Sequence, residues 1–118
     1  ELNYVEIETR IKGREVELEI KKFVPVPTPE LEEISEKIKD SRELIDYWAV
    51  DWDYKGDTFH NQWQSFRTKK NPRVEYIAKS KDARPNPYYE EPGGYQIMVK
   101  IIDVFGNELT KLIKVNIK

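Results

Sequence analysis

Alternation of apolar and polar positions with period two dominates the chain. Leu2, Tyr4, Ile7, Thr9 and Ile11 alternate imperfectly, Lys12-Gly13 marks a turn, and Val16, Leu18 and Ile20 then alternate with Glu15, Glu17, Glu19 and Lys21. That pattern predicts a hairpin with one buried and one charged face. Val74, Tyr76 and Ala78 alternate briefly. Near the end, Tyr95, Ile97, Val99 and Ile101 alternate with Gln96, Met98, Lys100 and Ile102, and Leu109, Ile113, Val115 and Ile117 return after Phe105-Gly106-Asn107. Together the segments predict a mainly β antiparallel sandwich of about seven strands.

Two stretches break the alternation. In "FVPVPTPE" Pro25, Pro27 and Pro29 remove backbone donors, which predicts an extended linker. Thr28 is placed to cap a helix, with Pro29 at its first position and Glu30, Glu32 and Glu33 where the helix dipole favours negative charge. Leu31, Ile34 and Ile38 form one apolar stripe, predicting one main helix to about Asp40 that docks on the sheets, with a further turn from Ser41. Ser80 to Gly94, with Pro85, Pro87, Pro92 and two glycines, reads as a long loop. The expected organisation is a hairpin at 1–23, a Pro-rich linker and helix at 24–46, and a sandwich at 47–118, forming one compact unit.

The segment "IDYWAVDWDYKGDTFHNQWQSFRTKK" from Ile45 holds all three tryptophans and the single histidine. Trp48, Val50, Trp52 and Tyr54 share one strand face; Tyr47, Ala49, Asp51 and Asp53 share the other. Lys55-Gly56-Asp57 predicts a turn and Thr58 to Arg67 a returning strand, with Phe59 and Trp63 in phase and Phe66 out of phase, which a bulge would reconcile. Trp48 and Trp52 read first as core, because an aromatic ring buries a large area. Trp63 and Phe66 read equally as core or as exposed rings.

Composition narrows the class. The 118 residues make one domain, 38% apolar and 36% charged, with no cysteine and one methionine. No disulfide or thiolate metal site can form, and the Glu/Lys/Ile-rich make-up predicts a cytoplasmic setting and a thermophilic source. No apolar run approaches a membrane span. The chain starts without Met and is expected to be a piece of a longer protein. Residues 1–59 carry nine Lys/Arg against sixteen Asp/Glu and residues 60–118 eleven against six, so net −7 faces net +5. This predicts an acidic and a basic side.

The stretch "YEEPGGYQIMVKIIDVFGN", Tyr89 to Asn107, resembles the Tyr-x-x-Pro-Gly-x-Tyr-x-Val-x-Val-x-Val-x-Asp-x-x-Gly pattern of PKD-like and related immunoglobulin-like β-sandwich modules. Pro92-Gly93 would turn the chain into the strand, and Asp103 with Gly106 would shape the next turn. Tyr47 to Tyr54 lies where that family has a Tyr-x-Trp-Asp-Phe-Gly-Asp strand, without the Gly-Asp-Gly ending. A second resemblance covers Asp46–Thr68 and Val99–Lys111, which are similar to the C-terminal segment of type III-like DNA adenine methyltransferases of restriction–modification systems. It implies a non-catalytic accessory domain that contacts DNA or docks other domains or subunits, with S-adenosylmethionine bound, if anywhere, by the parent. Asn86-Pro87-Tyr88-Tyr89 lacks the second proline of the catalytic tetrapeptide, and a Phe-x-Gly-x-Gly cofactor loop is missing, so methyl transfer by this stretch is excluded.

Other chemistry is thin. Asp51, Asp53 and Asp57 are weak candidates for calcium or magnesium, without the glycine and closing glutamate of an EF-hand loop, so no metal is predicted. His60 has no second imidazole or thiol to work with, and Gly93-Gly94 enters a strand rather than a helix, so it is no phosphate loop. The remaining signal is basic and aromatic: Trp63, Phe66, Arg67, Lys69, Lys70 and Arg73, followed by Tyr76, Lys79, Lys81, Arg84, Tyr88 and Tyr89. Such a mixture neutralises phosphates and stacks on bases, though a solvated lysine-rich loop looks the same in one dimension. The leading expectation is therefore the DNA-methyltransferase accessory domain. The alternative is a PKD-like cell-surface module that binds protein or carbohydrate, in which Asp51 and Asp53 matter more than Arg67 and Lys69.

Overall fold

A computed structural model describes residues 3–85 and 89–118; Leu2 and the Asn86-Pro87-Tyr88 part of the tetrapeptide lie outside them. The predicted sandwich is present. One sheet has the order β1-β2-β5, built from β1 (Tyr4–Lys12), β2 (Glu15–Val24) and β5 (Ile77–Lys79). The other has the order β4-β3-β6-β7, from β3 (Ile45–Asp51), β4 (Trp63–Phe66), β6 (Gly93–Asp103) and β7 (Glu108–Ile117). All pairings are antiparallel.

Alternation puts the apolar sets inside. Val16, Leu18 and Ile20 of β2 meet Trp48 and Val50 of β3, Ile97, Val99 and Ile101 of β6, and Val115 and Ile117 of β7, all buried. Each fully buried aliphatic side chain contributes about 1.5–3 kcal/mol relative to exposure, enough to define which face of each strand turns inward. The imperfect alternation of β1 has a local cause, a register shift between Glu6 and Ile7 opposite β2. At the β6–β7 turn the buried Asp103 carboxylate accepts from the backbone N–H of Phe105 and of Asn107, and Gly106 takes φ +88°, which fits the role expected of this pair.

Four expectations are corrected. The helix starts as predicted, with Thr28 Oγ1 accepting from Leu31 N at 3.0 Å and Pro29 at the first position, but α1 spans only Pro29–Ile34 before a 3-10 turn at Ser35–Lys37. No residue of α1 is fully buried; Leu31, Ile34 and Ile38 pack only partly on the core, too little to hold a longer helix. The next turn, Ser41–Leu44, is capped by Asp40 rather than Ser41. The returning strand is also shorter than expected: residues 52–62 form a loop, and only Trp63–Phe66 pairs with β3. No bulge reconciles Trp63 with Phe66; the register is regular, so the two rings stay on opposite faces of the sheet.

The two halves of the sequence share each sheet. β2 pairs with β5 from the later half, and on the outer face of that sheet Arg10 bridges Glu8, Glu17 and Glu19, at 3.1, 2.6 and 3.0 Å. Across the chain midpoint, strand pairing sets Glu17 of β2 opposite Lys79 of β5.

Candidate functional site

Two concavities sit at opposite ends of the four-stranded sheet. The first lies where β3 leaves the sheet and β6 enters it. Trp52 follows β3 with the inward parity of Trp48 and Val50, and is 3% exposed. Its backbone is held on both sides: Gln62 Oε1 accepts from Trp52 N at 2.7 Å, and the Tyr89 hydroxyl donates to Trp52 O at 2.6 Å. Tyr89 packs on Tyr95 with ring centroids 4.5 Å apart, and Tyr95 Oη donates to Glu91 O. Together Trp52, Asp53, Gln62, Ser80, Tyr89, Glu90, Glu91 and Tyr95 enclose a cavity of about 200 Å³. Trp52 and Ser80 are its buried floor; Glu90 and Glu91 are exposed at its mouth.

The electrostatics here are one-sided. Three carboxylates line the cavity, and no Lys or Arg does among the described residues. Burial holds the Tyr89 phenol well above the usual tyrosine range, and the negative charges of Asp53 and Asp51 push it the same way. Trp52 Nε1 is buried with no hydrogen-bond partner among the described residues, whereas Trp48 Nε1 donates to Glu75 O at 2.7 Å.

Of the carboxylates singled out from sequence, Asp51 is structural. It is buried, and its two oxygens accept from Asp53 N at 3.0 Å and His60 N at 2.8 Å, fastening the 52–62 loop to the end of β3. His60 Nδ1 lies 3.6 Å from the same carboxylate, on the solvent side. Asp53 meets Lys55 at 3.2 Å, and Asp57 accepts from Thr58 N. The three do not converge, and no cluster of His, Cys, Asp or Glu suited to a metal occurs among the described residues.

The basic and aromatic residues scatter. Trp63 turns inward and meets Trp48 edge-on, 4.8 Å between centroids. Phe66 lies on the outer face of the sheet, 48% exposed, against Tyr47 at 5.1 Å. Arg67 and Arg73 come together at the second concavity, a groove of about 360 Å³ lined also by Ile34, Ile38, Glu43 and Val104. There Arg67 Nε donates to Pro72 O at 2.8 Å and Arg73 pairs with Glu43 at 3.4 Å. Lys69 and Lys70 are exposed at the tip of the intervening loop.

Sequence reasoning missed the first cavity, because its parts come from four separated segments. Tyr89-Glu90-Glu91 just before Pro92-Gly93 was the legible part: an aromatic and two acids at the mouth of a strand.

The chain superposes on the PKD1 domain of the Vibrio cholerae metalloprotease PrtV with a TM-score of 0.54 at 14% identity, covering 98% of this chain and 96% of that one. It also superposes on the PKD1 domain of Vibrio anguillarum Epp with a TM-score of 0.56 at 12% identity, covering 100% and 95%. The fold is PKD-like. No family model and no curated protein sequence matches the chain.

The PKD-like resemblance of Tyr89–Asn107 therefore extends to the whole sandwich, while nothing links the chain to a DNA methyltransferase. The cytoplasmic setting is corrected as well: the chains with which this sandwich superposes are PKD1 domains, one of them of a metalloprotease, and not parts of a cytoplasmic DNA-modifying enzyme. Lack of cysteine misled because a core of this size holds a sandwich without disulfides.

Proposed function

We propose that the chain is a non-catalytic PKD-like interaction module of an extracellular protein, holding a protein or carbohydrate partner at the β3-exit end of the sandwich. The observation that carries this reading is the cavity itself: aromatic rings from Trp52, Tyr89 and Tyr95 beside the carboxylates of Asp53, Glu90 and Glu91. Apolar walls with a few convergent polar groups are the ordinary make-up of a ligand site. Its floor serine ties the cavity to the other sheet, Ser80 Oγ accepting from Val16 N at 2.9 Å. The basic segment offers less: Trp63 turns into the core, Phe66 alone of its two rings is exposed, and Arg67 and Arg73 are engaged by Pro72 O and Glu43.

The test is retention of the folded domain on insoluble polysaccharides and on immobilised basic and acidic proteins. Retention on at least one matrix, weakened in Asp53→Asn/Glu91→Gln and unchanged in Lys69→Glu/Lys70→Glu, is the expected result. No retention on any matrix, or equal retention of the first variant, overturns the reading.

A further inference from the structure

We infer that β1 is a self-association edge: a second copy of this chain adds its own β1 there as an antiparallel strand, in the one register centred on Thr9. This edge is separate from the β3-exit cavity and owes nothing to the reading of that site.

β1 is an outer strand of its sheet and pairs with β2 alone. Which of its backbone groups face outward follows from β2. Ile20 N donates to Tyr76 O and Val16 N to Ser80 Oγ, each at 2.9 Å, and both acceptors flank β5. Val16, Leu18 and Ile20 therefore turn their backbone groups away from β1. Their partners Ile11, Thr9 and Ile7 turn theirs to the open edge, because directly opposed residues of an antiparallel pair exchange both hydrogen bonds or neither. Val5 has the same parity, and its carbonyl accepts at 3.2 Å from Lys111 Nζ of β7, the outer strand of the other sheet. From Ile7 to Ile11 no backbone bond beyond the β1–β2 ladder occurs among the described residues. An open row of strand donors and acceptors is a template for a further strand.

The side chains select the occupant. On its outer face β1 reads Glu6, Glu8, Arg10, Lys12, two acids followed by two bases. An antiparallel copy centred on Thr9 sets Glu6 opposite Lys12 of the second copy and Glu8 opposite its Arg10, at the non-hydrogen-bonded positions where side chains lie closest. Other registers that keep the inner faces aligned oppose like charges. Centring on Ile7 sets Glu6 against Glu8, centring on Glu8 or Arg10 sets that residue against itself, and centring on Ile11 sets Arg10 against Lys12. Glu8 and Arg10 are already linked within the chain at 3.1 Å, so exchanging that bond across the copies is near neutral. Glu6 and Lys12 are exposed and make no ion pair among the described residues, so they supply the charge selectivity. On the inner face Ile7 comes opposite Ile11, which is 44% exposed in the single chain. The strand meets itself, so the interface is isologous and closes at two copies, with one sheet of order β5-β2-β1-β1-β2-β5 running through both. Lys111 on the Val5 carbonyl marks where the pairing stops.

The experiment is sedimentation equilibrium of the chain at low salt from about 10 μM to about 1 mM, the range in which a small interface associates, with amide exchange followed by NMR on the same ¹⁵N-labelled samples. A reversible monomer–dimer equilibrium is expected. Exchange at Ile7, Thr9 and Ile11 should slow as concentration rises, while the Glu8 and Arg10 amides, which face β2, stay unchanged. Glu6→Lys and Lys12→Glu should each weaken the dimer about tenfold, and the two together should restore it, since the opposed charges are then unlike again. Thr9→Pro removes an outward N–H without touching the β1–β2 ladder and should abolish the dimer, while the Trp48 indole resonance, bonded to Glu75 O, reports that the core is folded. A chain that stays monomeric at the highest concentration leaves the edge to a strand of other sequence and overturns the assignment. So does a dimer whose slowed amides lie on β7 or at the β3-exit cavity, or a double variant that associates no more tightly than the single ones.

Discussion

The Tyr89 hydroxyl donates to the backbone carbonyl of Trp52 at 2.6 Å, a buried hydrogen bond joining segments 37 residues apart. It ties the entry to β6 to the exit from β3 and so forms the wall of the acidic cavity. Tyr89→Phe leaves that carbonyl buried and unmade, and should lower unfolding free energy by about 1–3 kcal/mol in urea titration. A pH dependence goes with it. The folded phenol titrates above the unfolded value of 10.0, chiefly because it is buried. The unfolded chain therefore loses this proton first, so the contribution is fully present below about pH 10 and declines as pH rises above it. Wild type minus Tyr89→Phe should show that decline; a flat difference would remove the assignment.

Asp51 fastens the 52–62 loop through two backbone N–H groups. Asp51→Ala should cost about 2–4 kcal/mol, since hydrogen bonds to a charged acceptor are each worth about 1.5–3 kcal/mol and two part-buried donors lose their acceptor. Denaturant titration measures it. If the carboxylate were instead a calcium ligand, millimolar calcium would raise the wild-type melting temperature; none of that rise is expected.

Asp40 and Arg42 form a close ion pair, 2.7 Å apart, with the Arg42 guanidinium stacked 4.2 Å from the centre of the Tyr76 ring. Hydrogen bonding from Arg42 holds the Asp40 carboxyl below its ordinary value of 3.8. A depressed carboxyl contributes stability that is present above that value and lost as pH falls through the folded one. Asp40→Asn should therefore flatten part of the acid limb of a stability–pH curve below about pH 4, with little change in slope at neutral pH.

How much of this was legible follows from the range of each signal. Val99, Ile101, Val115 and Ile117 announce their faces because period two is a local property of the strand, and the Tyr89–Asn107 pattern fixes the hairpin. The end of α1 is not local, since it depends on how little of Leu31, Ile34 and Ile38 the sheets cover. The cavity is less local still: Trp52, Gln62, Ser80 and Glu91 share no motif and meet only where the ends of β3 and β6 face the turn after β5 of the other sheet. Asp51 misled for a related reason. Aspartate at alternate positions reads as a ligand set, and only the loop above it shows that its oxygens are occupied by backbone donors.

Lys69 and Lys70 stand at an exposed loop tip, and a charge reversal there touches no packing. Lys69→Glu/Lys70→Glu should change stability by no more than about 0.5 kcal/mol. Labelled duplex DNA at about 0.15 M salt is expected to show no saturable binding to either protein. Saturable binding by the wild type that charge reversal abolishes would restore a nucleic-acid role for this loop.

Trp63 and Phe66 sit three residues apart on opposite faces of β4, so the same truncation should have very different effects. Trp63 closes the core against Trp48 and pairs with Val50 across the strands. Trp63→Ala opens a cavity beside the largest buried side chain and should cost about 3 kcal/mol or more. Phe66 rests on Tyr47 with about half its surface in water, and Phe66→Ala should cost about 1 kcal/mol. Paired with Trp48→Phe, Trp63→Ala should be non-additive because the rings touch, whereas Phe66→Ala should add. Urea titration of the two double mutants checks this. If the costs were reversed, the inward and outward assignments of β4 would be exchanged, and with them the claim that the aromatic segment is first of all core.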